Sequence, residues 1–448
     1  MSLDPAVPDH LPEWLAAQRW YAGKGSTPAL ERIGGWSVQV DDVTLSTHYI
    51  LDRSGSRAVL YQVPLSERAI PLVGVEPIGA VNSRLVYDAT QDQAYAPMLL
   101  NLMLDDASVG SATGHRQPGT AAIRVVESSV LRGEQSNTSI ICRVADGNPV
   151  IIKVFRALHH GENPDVTLQS AIAAAGSSLV PQSVGSITGE WSDTGRADGV
   201  AVGHLAFAQE FLPGVEDAWR VALHAAETND DFTAEARSLG AATADVHATL
   251  AEVFPTRETT AADVDAILAS MRARLDMALL EVPSLQSRRP AIEAVFEAAR
   301  TAPWPPLQRI HGDYHLGQVL TVPGRGWVLL DFEGEPLRPM DERSQPDITL
   351  RDVAGMLRSF DYAAGSVALA GGADTAAGWA TAARHAFVDG YIERSGVDVR
   401  EHRALLDAFE IDKALYEAVY EALNRPGWLE IPATAIRRLS ERSGARSR

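Results

Sequence analysis

The stretch HGDYHLGQVL, residues 311–320, is followed after a Pro-Gly turn by WVLLDFEGEP, residues 327–336. Each segment contains a short apolar run that predicts a strand, and each carries acidic side chains at one end of that run. These are Asp313 before the first run, and Asp331 and Glu333 after the second. Mg²⁺ takes hard oxygen ligands, so carboxylates that converge beside an amide favour a magnesium–phosphate site.

The spacing of the polar residues matches a template for phosphoryl transfer. A kinase catalytic loop has a catalytic Asp with a metal-binding Asn five residues later, and a separate metal-binding Asp-Phe-Gly follows. Here Asp313 and Gln318 are five residues apart, and Asp-Phe-Glu begins at Asp331. The two motifs together therefore predict a kinase.

Two other interpretations of these residues stay open. A lone His-x-Asp also occurs as a turn cap, although the second motif makes this interpretation less favoured. His311, His315 and Asp313 have the chemistry of zinc ligands, but no third histidine or cysteine lies nearby. A zinc site would also leave Asp331 and Glu333 without a role.

The composition indicates a globular, acidic protein. The chain has 448 residues, which favours two or three domains, and 46% of them are hydrophobic. Its 39 Lys+Arg against 58 Asp+Glu leave a formal charge of -19, which repels nucleic acid and anionic membranes. We therefore expect no nucleic-acid or membrane partner. ATP needs a local basic group or a metal ion to bind here.

Cysteine usage and the first residues predict a cytoplasmic protein. Cys142 is the only cysteine, so no intrachain disulfide can form and a reducing compartment is expected. Residues 1–20 lack a basic segment followed by an apolar stretch, and no window reaches the ~18 apolar residues that span a bilayer. We expect a monomer.

Periodicity divides the chain into three parts. We place an N-terminal cap and intermediate region at 1–110, a nucleotide-binding lobe at 111–210 and a mostly helical lobe at 211–448. Residues 105–121, rich in Gly, Ser and Thr, predict the first boundary. The elements predicted before it are a helix at 11–21, strands at 36–51 and 56–65 and a helix at 94–104.

The second part offers the groups that a nucleotide needs. Lys153 stands on the predicted strand VIIKVFR, after the polar turn GEQSNTS (133–139) that can cover phosphates. Asp165 or Glu162 can orient the lysine, and the extended connector AFAQEFLPG can pair its backbone with an adenine edge. The residues assigned to nucleotide binding are Lys153, Ser136, Asn137, Thr138, Ser139, Asp165, Gln209, Glu210, Phe211 and Leu212.

This ordered set resembles the aminoglycoside phosphotransferase-like kinases, and more closely their maltokinase-like branch, over nearly the whole chain. The segments that carry the resemblance are QRWYAGKG (18–25), EQSNTS (134–139), IIKVFR (151–156), NPD (163–165), HGDYHLGQVL, LLDFEGEP (329–336), RDVAGMLRSFDYA (351–363) and KALYEAVYEALNRPGWL (413–429). The resemblance implies an α+β, bilobal, protein-kinase-like fold with an N-terminal cap, and ATP between the lobes.

The resemblance also implies roles for individual residues. Asp313 is similar to the catalytic base that orients the sugar hydroxyl, and Lys153 to the phosphate-binding lysine. Gln318 and Asp331 are similar to the Mg²⁺ ligands of the branch, and Glu333 can join them. The expected cofactors are therefore ATP and Mg²⁺.

The branch contains maltokinases and bacterial glucosamine kinases, which differ in the acceptor sugar. The candidates for acceptor binding are Asp313, His315, Tyr416, Glu417, Glu421 and Trp428. Acidic side chains suit a protonated amine and Trp428 can stack on a sugar ring, which favours glucosamine and the product glucosamine 6-phosphate. Residues 204–223 and 63–76 are also more similar to the glucosamine-kinase group.

Three alternatives remain. Maltose is the second candidate acceptor, with maltose 1-phosphate as the product. Tyr416 and Tyr420 also fit a helix that simply packs its aromatic stripe on the core. A pseudokinase-like binding module is a remote alternative, because Asp313 and Asp331 are both present.

Overall fold

Strands dominate the first half of the chain and helices the second. The computed structural model describes residues 8–55, 57–131, 136–335, 338, 340–371 and 376–446. Residues 133–135 of the predicted phosphate-covering turn and Pro336 of the second motif lie outside these ranges. The chain forms two compact units, of which the first comprises Met1–Ser170 and Pro181–Pro213, and the second Ala171–Val180 and Gly214–Arg448.

Helices and antiparallel strands both contribute, which confirms the α+β class. The helices are Leu11–Ala17 (α1), Tyr95–Leu104 (α2), Pro164–Ala174 (α3), Ala218–Thr228 (α4), Thr233–Val253 (α5), Ala261–Glu281 (α6), Arg289–Arg300 (α7), Met340–Arg343 (α8), Leu350–Leu369 (α9), Ala376–Ser395 (α10), Arg403–Asn424 (α11) and Glu430–Arg446 (α12). Within the described ranges, none of them combines the length and apolar character needed to cross a membrane.

The strands of the described ranges form three sheets. They are Leu30–Val40 (β1), Val43–Asp52 (β2), Val59–Arg68 (β3), Gly79–Val81 (β4), Arg84–Asp88 (β5), Ser108–Val109 (β6), Ala112–Arg116 (β7), Val125–Val130 (β8), Asn137–Val144 (β9), Val150–Phe155 (β10), Ala157–Leu158 (β11), Ser183–Ser192 (β12), Val200–Glu210 (β13), Glu216–Asp217 (β14), Val319–Val322 (β15) and Gly326–Leu329 (β16). The sheet orders are β1-β2-β3-β5-β4 with β11 beside β3, then β6-β7-β12-β13-β10-β9-β8, and β14-β15-β16.

The Gly-, Ser- and Thr-rich tract 105–121 belongs to the second sheet. It supplies β6 and β7, and Gly114 of β7 pairs with Ile187 of β12. A Cβ on Gly114 would lie 1.9 Å from the carbonyl oxygen of Leu102 in α2. The glycine is therefore required by close packing, whereas composition alone predicts a boundary.

One buried hydrophobic cluster serves both sheets of the first unit. It contains Trp36 and Leu99 from the region predicted as the cap, and Ile152 and Phe207 from the region predicted as the nucleotide-binding lobe. The hydrophobic effect therefore holds these two regions together as one folded body.

Buried polar side chains link the same two regions. Arg156, which is 0% exposed, donates from Nη2 to Asp88 Oδ2 (2.7 Å) and from Nε to Thr138 Oγ1 (2.8 Å). Gln62 of β3 donates from Nε2 to the carbonyl oxygen of Leu205 in β13 at 2.8 Å. Buried polar groups need such partners, so these contacts fix how β3 and β5 meet the second sheet.

In the second unit, α5 and α10 approach closely at two glycines. A Cβ on Gly240 would lie 2.0 Å from the carbonyl oxygen of Phe387, and one on Gly390 would lie 2.0 Å from that of Arg237. Any side chain at these positions would push the two helices apart.

The small third sheet lies among the helices of the second unit. Strands β15 and β16 form a hairpin in which Val319 is opposite Leu329 and Val322 is opposite Gly326. This confirms the two short strands predicted from the apolar runs of the two motifs. The hairpin brings the start of β15 and the end of β16 together at one edge of the small sheet.

Candidate active site

The loop before β15 carries Asp313, and Asp352 of α9 holds that loop from behind. Asp352 accepts hydrogen bonds from the backbone N–H groups of His311 (2.8 Å) and Gly312 (2.9 Å). It also accepts one from His247 Nε2 at 3.0 Å. Burial opposes ionisation of Asp352, but these hydrogen bonds and the nearby histidines bring its pKa below the usual value. The buried carboxylate therefore fixes the backbone beside Asp313.

His311 shapes this loop. Its Nε2 donates to the carbonyl oxygen of Leu330 at 2.8 Å, and its Nδ1 accepts from the backbone N–H of Asp313 at 3.4 Å. The imidazole ring also lies against Phe332, with 4.5 Å between ring centroids. Because both ring nitrogens have partners, His311 is not a zinc ligand in this arrangement, and the zinc alternative loses one of its three groups.

His315 caps a short 3₁₀ helix, Leu316–Gln318. Its Nδ1 accepts a hydrogen bond from the backbone N–H of Gly317 at 3.1 Å. Burial lowers the pKa of His315, which favours the neutral imidazole. Its role in acceptor binding remains a prediction.

The amide and the carboxylate expected to bind Mg²⁺ lie side by side. Gln318 Nε2 donates to Asp331 Oδ2 at 3.0 Å, and the backbone N–H of Leu330 donates to the carbonyl oxygen of Gln318 at 2.9 Å. Asp331 has a left-handed backbone with φ 62°, a conformation that Asp tolerates better than most residues. Hard oxygen donors are the ligands that Mg²⁺ prefers, so this pair fits the ion. Glu333 follows two residues later.

A lysine that the sequence analysis leaves unassigned contacts Asp313. Lys413 of α11 donates from Nζ to Asp313 Oδ1 at 2.7 Å and to Glu335 Oε1 at 3.1 Å. Glu335 also accepts from Arg274 Nη1 through Oε2 at 3.0 Å. Burial disfavours the ammonium, but the two carboxylates outweigh this effect and raise the pKa of Lys413 above its usual value. Lys413 is therefore a charged, buried group at the predicted catalytic residue.

The charges behind Lys413 continue as an alternating chain. Arg274 Nε lies 3.3 Å from Asp412 Oδ1, and Asp412 Oδ2 accepts from Arg351 Nη1 at 3.2 Å. Arg351 in turn donates from Nε to Asp347 Oδ2 at 2.8 Å. Removing one member would leave a buried charge without its partner, so the chain holds its members in a defined geometry.

Two of the acceptor candidates on α11 have different surroundings. The Tyr416 ring lies 4.8 Å from Lys413 Nζ, which brings this tyrosine next to the Asp313 site. Glu417 accepts through Oε2 from Arg358 Nη2 at 2.6 Å. Burial raises the pKa of Glu417 despite this guanidinium.

Near the end of α11, Glu421 and Trp428 both contact Tyr362. Glu421 accepts from Arg425 Nη2 at 2.6 Å and Nε at 3.0 Å, and Tyr362 Oη donates to the same carboxylate. Trp428 stacks on Tyr362 with 6.1 Å between ring centroids. Both oxygens of Glu421 are therefore engaged inside the protein, and the acceptor roles of these residues remain predictions.

In the first unit, Lys153 is paired with Asp165, one of the two acids predicted to orient it. The distance from Lys153 Nζ to Asp165 Oδ2 is 2.9 Å, whereas Glu162 is exposed. Asp165 is 2% exposed, and its Oδ1 accepts from Gln169 Nε2 at 2.5 Å. Its backbone N–H donates to Asn163 Oδ1 at 2.9 Å, at the start of α3. The helix thus orients the acid, and the acid orients the lysine.

The residues predicted to cover the phosphates do not all lie on the same face of strand β9. These are Ser136, Asn137, Thr138 and Ser139. Ser139 pairs directly with Lys153 of β10, and Asn137 shares its face because side chains alternate along a strand. Thr138 is on the other face, where its hydroxyl accepts from Arg156. The side chain of Thr138 therefore serves the contact with β5, not the Lys153 face.

The connector begins at the end of β13. It consists of Gln209, Glu210, Phe211 and Leu212. The backbone N–H of Glu210 donates to the carbonyl oxygen of Gln182, and that of Phe211 donates to the carbonyl oxygen of Pro149, both at 2.8 Å. These two N–H groups are committed to neighbouring strands and turns, which keeps the segment extended.

Comparison with known proteins defines the class of this chain. Residues 129–391 match the family described as "Phosphotransferase enzyme family", and residues 14–92 match the "Maltokinase N-terminal cap domain". The first match covers more than half of the chain, so the chain belongs to the phosphotransferase enzyme family. The predicted enzyme class, a kinase, is confirmed.

The individual proteins to which the chain is similar include glucosamine kinases. The chain is 30% identical to a glucosamine kinase of Streptacidiphilus jiangxiensis over 325 residues, 68% of this chain and 71% of that protein. It is 28% identical to a glucosamine kinase of Mycolicibacterium smegmatis over 363 residues, 75% of this chain and 86% of that protein. A structure described as "Glucosamine kinase in complex with glucosamine, ADP and inorganic phosphate" has a TM-score of 0.70 at 22% identity, covering 96% of this chain and 99% of that one. The capped, kinase-like fold is thereby confirmed.

Amino-acid composition, rather than motif spacing, could have pointed to Lys413. Of the 39 basic residues, three are lysines: Lys24, Lys153 and Lys413. Lysine is therefore rare in a chain that uses arginine almost everywhere, and two of the three lysines bind site carboxylates.

Proposed function

We propose that the enzyme transfers the γ-phosphoryl group of ATP to D-glucosamine, giving ADP and glucosamine 6-phosphate. The observation that carries this proposal is the setting of Asp313. Its Oδ1 is held by Lys413, while Oδ2 has no hydrogen-bond partner within the described residues. An oriented carboxylate with one available oxygen is the group that an acceptor hydroxyl needs in a kinase site. The names of the two relatives support glucosamine as that acceptor.

In the proposed reaction, Asp313 aligns the sugar hydroxyl. The hydroxyl donates to Oδ2, its oxygen forms the new bond to the γ-phosphorus, and the bond to the β-phosphate oxygen of ATP breaks. The proton passes to Asp313 as the new bond forms. Kinases gain rate chiefly from this alignment and from charge neutralisation, so a strong base is not required.

The remaining site residues are proposed to hold the nucleotide. Lys153, kept in place by Asp165, binds the phosphates as a point charge. Gln318 and Asp331 would hold Mg²⁺ through their side-chain oxygens, with Glu333 able to join them. The bound ion would offset the charge between ATP and these carboxylates.

For acceptor recognition we propose Glu417 as the group that receives the sugar ammonium. Its Oε2 is bound by Arg358, and its Oε1 has no hydrogen-bond partner within the described residues. Because burial raises the pKa of Glu417, an ammonium ion at Oε1 would stabilise the carboxylate form. Glu421 is a weaker candidate, since Arg425 and Tyr362 already engage it.

A panel of acceptors tests the proposal. Glucosamine, glucose, maltose and an aminoglycoside would each be incubated with ATP and Mg²⁺, and the product identified by phosphorus NMR. We expect glucosamine 6-phosphate, with glucose as the matched neutral acceptor turned over less efficiently. The match to the maltokinase cap favours maltose as the second candidate. A maltose 1-phosphate signal without a glucosamine product would overturn the proposal, and no product with any acceptor would favour a binding module.

We further propose that the enzyme acts in the cytoplasm as a monomer. ATP is available there, and Cys142 is a free, buried thiol in keeping with a reducing compartment. Light scattering at working concentration gives the mass directly, and a mass twice that of the 48.1 kDa chain would contradict the monomer.

A further inference from the structure

We propose that Lys413 is a positioning residue for phosphoryl transfer, which holds Asp313 by Oδ1 so that Oδ2 alone faces the acceptor hydroxyl. The inference rests on the proposed function only in taking Asp313 as the catalytic group. It assigns a role to a residue that lies 100 positions away from Asp313 in the chain.

The contacts of Lys413 leave it little freedom. Its ammonium donates to Asp313 at 2.7 Å and to Glu335 at 3.1 Å, and the face of the Tyr416 ring lies 4.8 Å away. The side chain is 14% exposed, and that of Glu335 is 3% exposed. Two carboxylates and one aromatic face thus surround a compact cation, which fixes the direction of the Lys413–Asp313 bond.

Glu335 is in turn held from the opposite side. Its Oε2 accepts from Arg274, so the lysine is anchored to the alternating charges that run through Asp412 and Arg351. The position of Asp313 Oδ1 is therefore set by a rigid array in the same unit. A misplacement of about 1 Å at a reacting group can cost roughly 10²-fold in rate, so this array has a direct route to turnover.

The chemistry of the site requires lysine rather than arginine. Lysine is a compact point charge with three rotatable donors, whereas the guanidinium is larger, planar and suited to bidentate pairing. At Lys413 one nitrogen bonds to two separate carboxylates, and the larger, planar guanidinium would displace Asp313 from the position that it has beside this compact ammonium. The enzyme has 36 arginines and three lysines, and it keeps a lysine here.

Lys413→Arg is the first test, because it keeps the buried charge. We expect kcat to fall at least about tenfold, with KM for ATP within about twofold of wild type, since Asp313 is displaced while the nucleotide site is untouched. Lys24→Arg is the matched control, because among the described residues Lys24 donates only to the backbone oxygens of Ala16 and Gln18. A Lys413→Arg enzyme with wild-type kcat would overturn the proposal.

Lys413→Ala with chemical rescue is the second test. We expect kcat to fall about 10²-fold and to recover at least about tenfold when ethylammonium is added, because the small cation can enter the space left beside Asp313. Asp313→Asn should not respond to ethylammonium. Thermal melting and ADP binding would be recorded for each variant. A folded Lys413→Ala enzyme that keeps full kcat, or one that loses activity without any rescue, would contradict the positioning role.

These tests remain distinct from the test of the acceptor. If wild type phosphorylates maltose and not glucosamine, the proposed function fails, and the Lys413 variants are then measured with maltose. The same loss of kcat would still support Lys413, because the contact is with Asp313 and not with the sugar.

Discussion

We expect that removing the negative charge of Asp313 removes its catalytic function without changing the structure around it. Asparagine has the same shape and can still accept from Lys413 through its amide oxygen. We predict that Asp313→Asn lowers kcat by about 10³-fold, in the range that general-base groups contribute. Steady-state kinetics gives kcat, and ADP titration checks that nucleotide binding is unchanged. Wild-type turnover in this variant would remove Asp313 from the reaction.

Lys153 should affect the use of ATP more than the acceptor. Its Nζ is 2.9 Å from Asp165, and it pairs with Ser139 across the strands. Because a charge-assisted hydrogen bond contributes about 1.5–3 kcal/mol, we predict that Lys153→Ala raises KM for ATP at least about tenfold. KM for the acceptor should change little. Lys24→Ala is the matched control, and an unchanged ATP dependence in Lys153→Ala would contradict the assignment.

At the residue scale, the sequence predicts what is local and misses what is distant. The contact of Gln318 with Asp331 joins residues on one hairpin, so motif spacing is enough to predict it. Lys413 reaches Asp313 from α11 and also donates to Glu335, and no periodicity encodes that meeting. Thr138 is a different case, because strand alternation turns it away from its neighbours Asn137 and Ser139.

At the element scale, the close approach of α5 and α10 can be tested by two glycines of one helix. A Cβ on Gly390 would meet the Arg237 carbonyl oxygen at 2.0 Å, whereas one on exposed Gly378 would meet no atom of the described part of the chain within 4 Å. We predict that Gly390→Ala destabilises the enzyme by about 1–3 kcal/mol through overpacking. Gly378→Ala should stabilise it by roughly 0.5–1 kcal/mol through helix propensity. Urea unfolding measures both, and equal effects would contradict the packing argument.

Elements were predictable where side-chain periodicity sets them. The helix predicted at 94–104 is α2, Tyr95–Leu104. The tract 105–121 was not, because its small residues are selected by the approach of β7 to α2. A glycine required by packing and a glycine in a flexible linker have the same composition, and only tertiary contacts separate them.

At the scale of the whole molecule, the N-terminal region is expected to be inseparable from the nucleotide-binding region. Trp36 and Leu99 share a buried cluster with Ile152 and Phe207, and buried Arg156 joins Asp88 to Thr138. We predict that a chain lacking residues 1–110 loses cooperative folding, because apolar surface and a buried charge are both exposed. Size-exclusion chromatography and thermal melting compare it with the full chain. A monodisperse, cooperatively melting fragment would contradict this prediction.

Because the chain has so few lysines, cleavage by a lysine-specific protease can report which part of the enzyme unfolds locally. A lysine-specific protease has three sites in the chain, and of these Lys24 is exposed whereas Lys153 and Lys413 are held by carboxylates in different units. Proteolysis of a native protein follows the population of the opened state when opening and closing are fast. Cleavage after Lys24 is therefore expected without unfolding, while cuts after Lys153 and after Lys413 would report separately on the opening of the first and of the second unit.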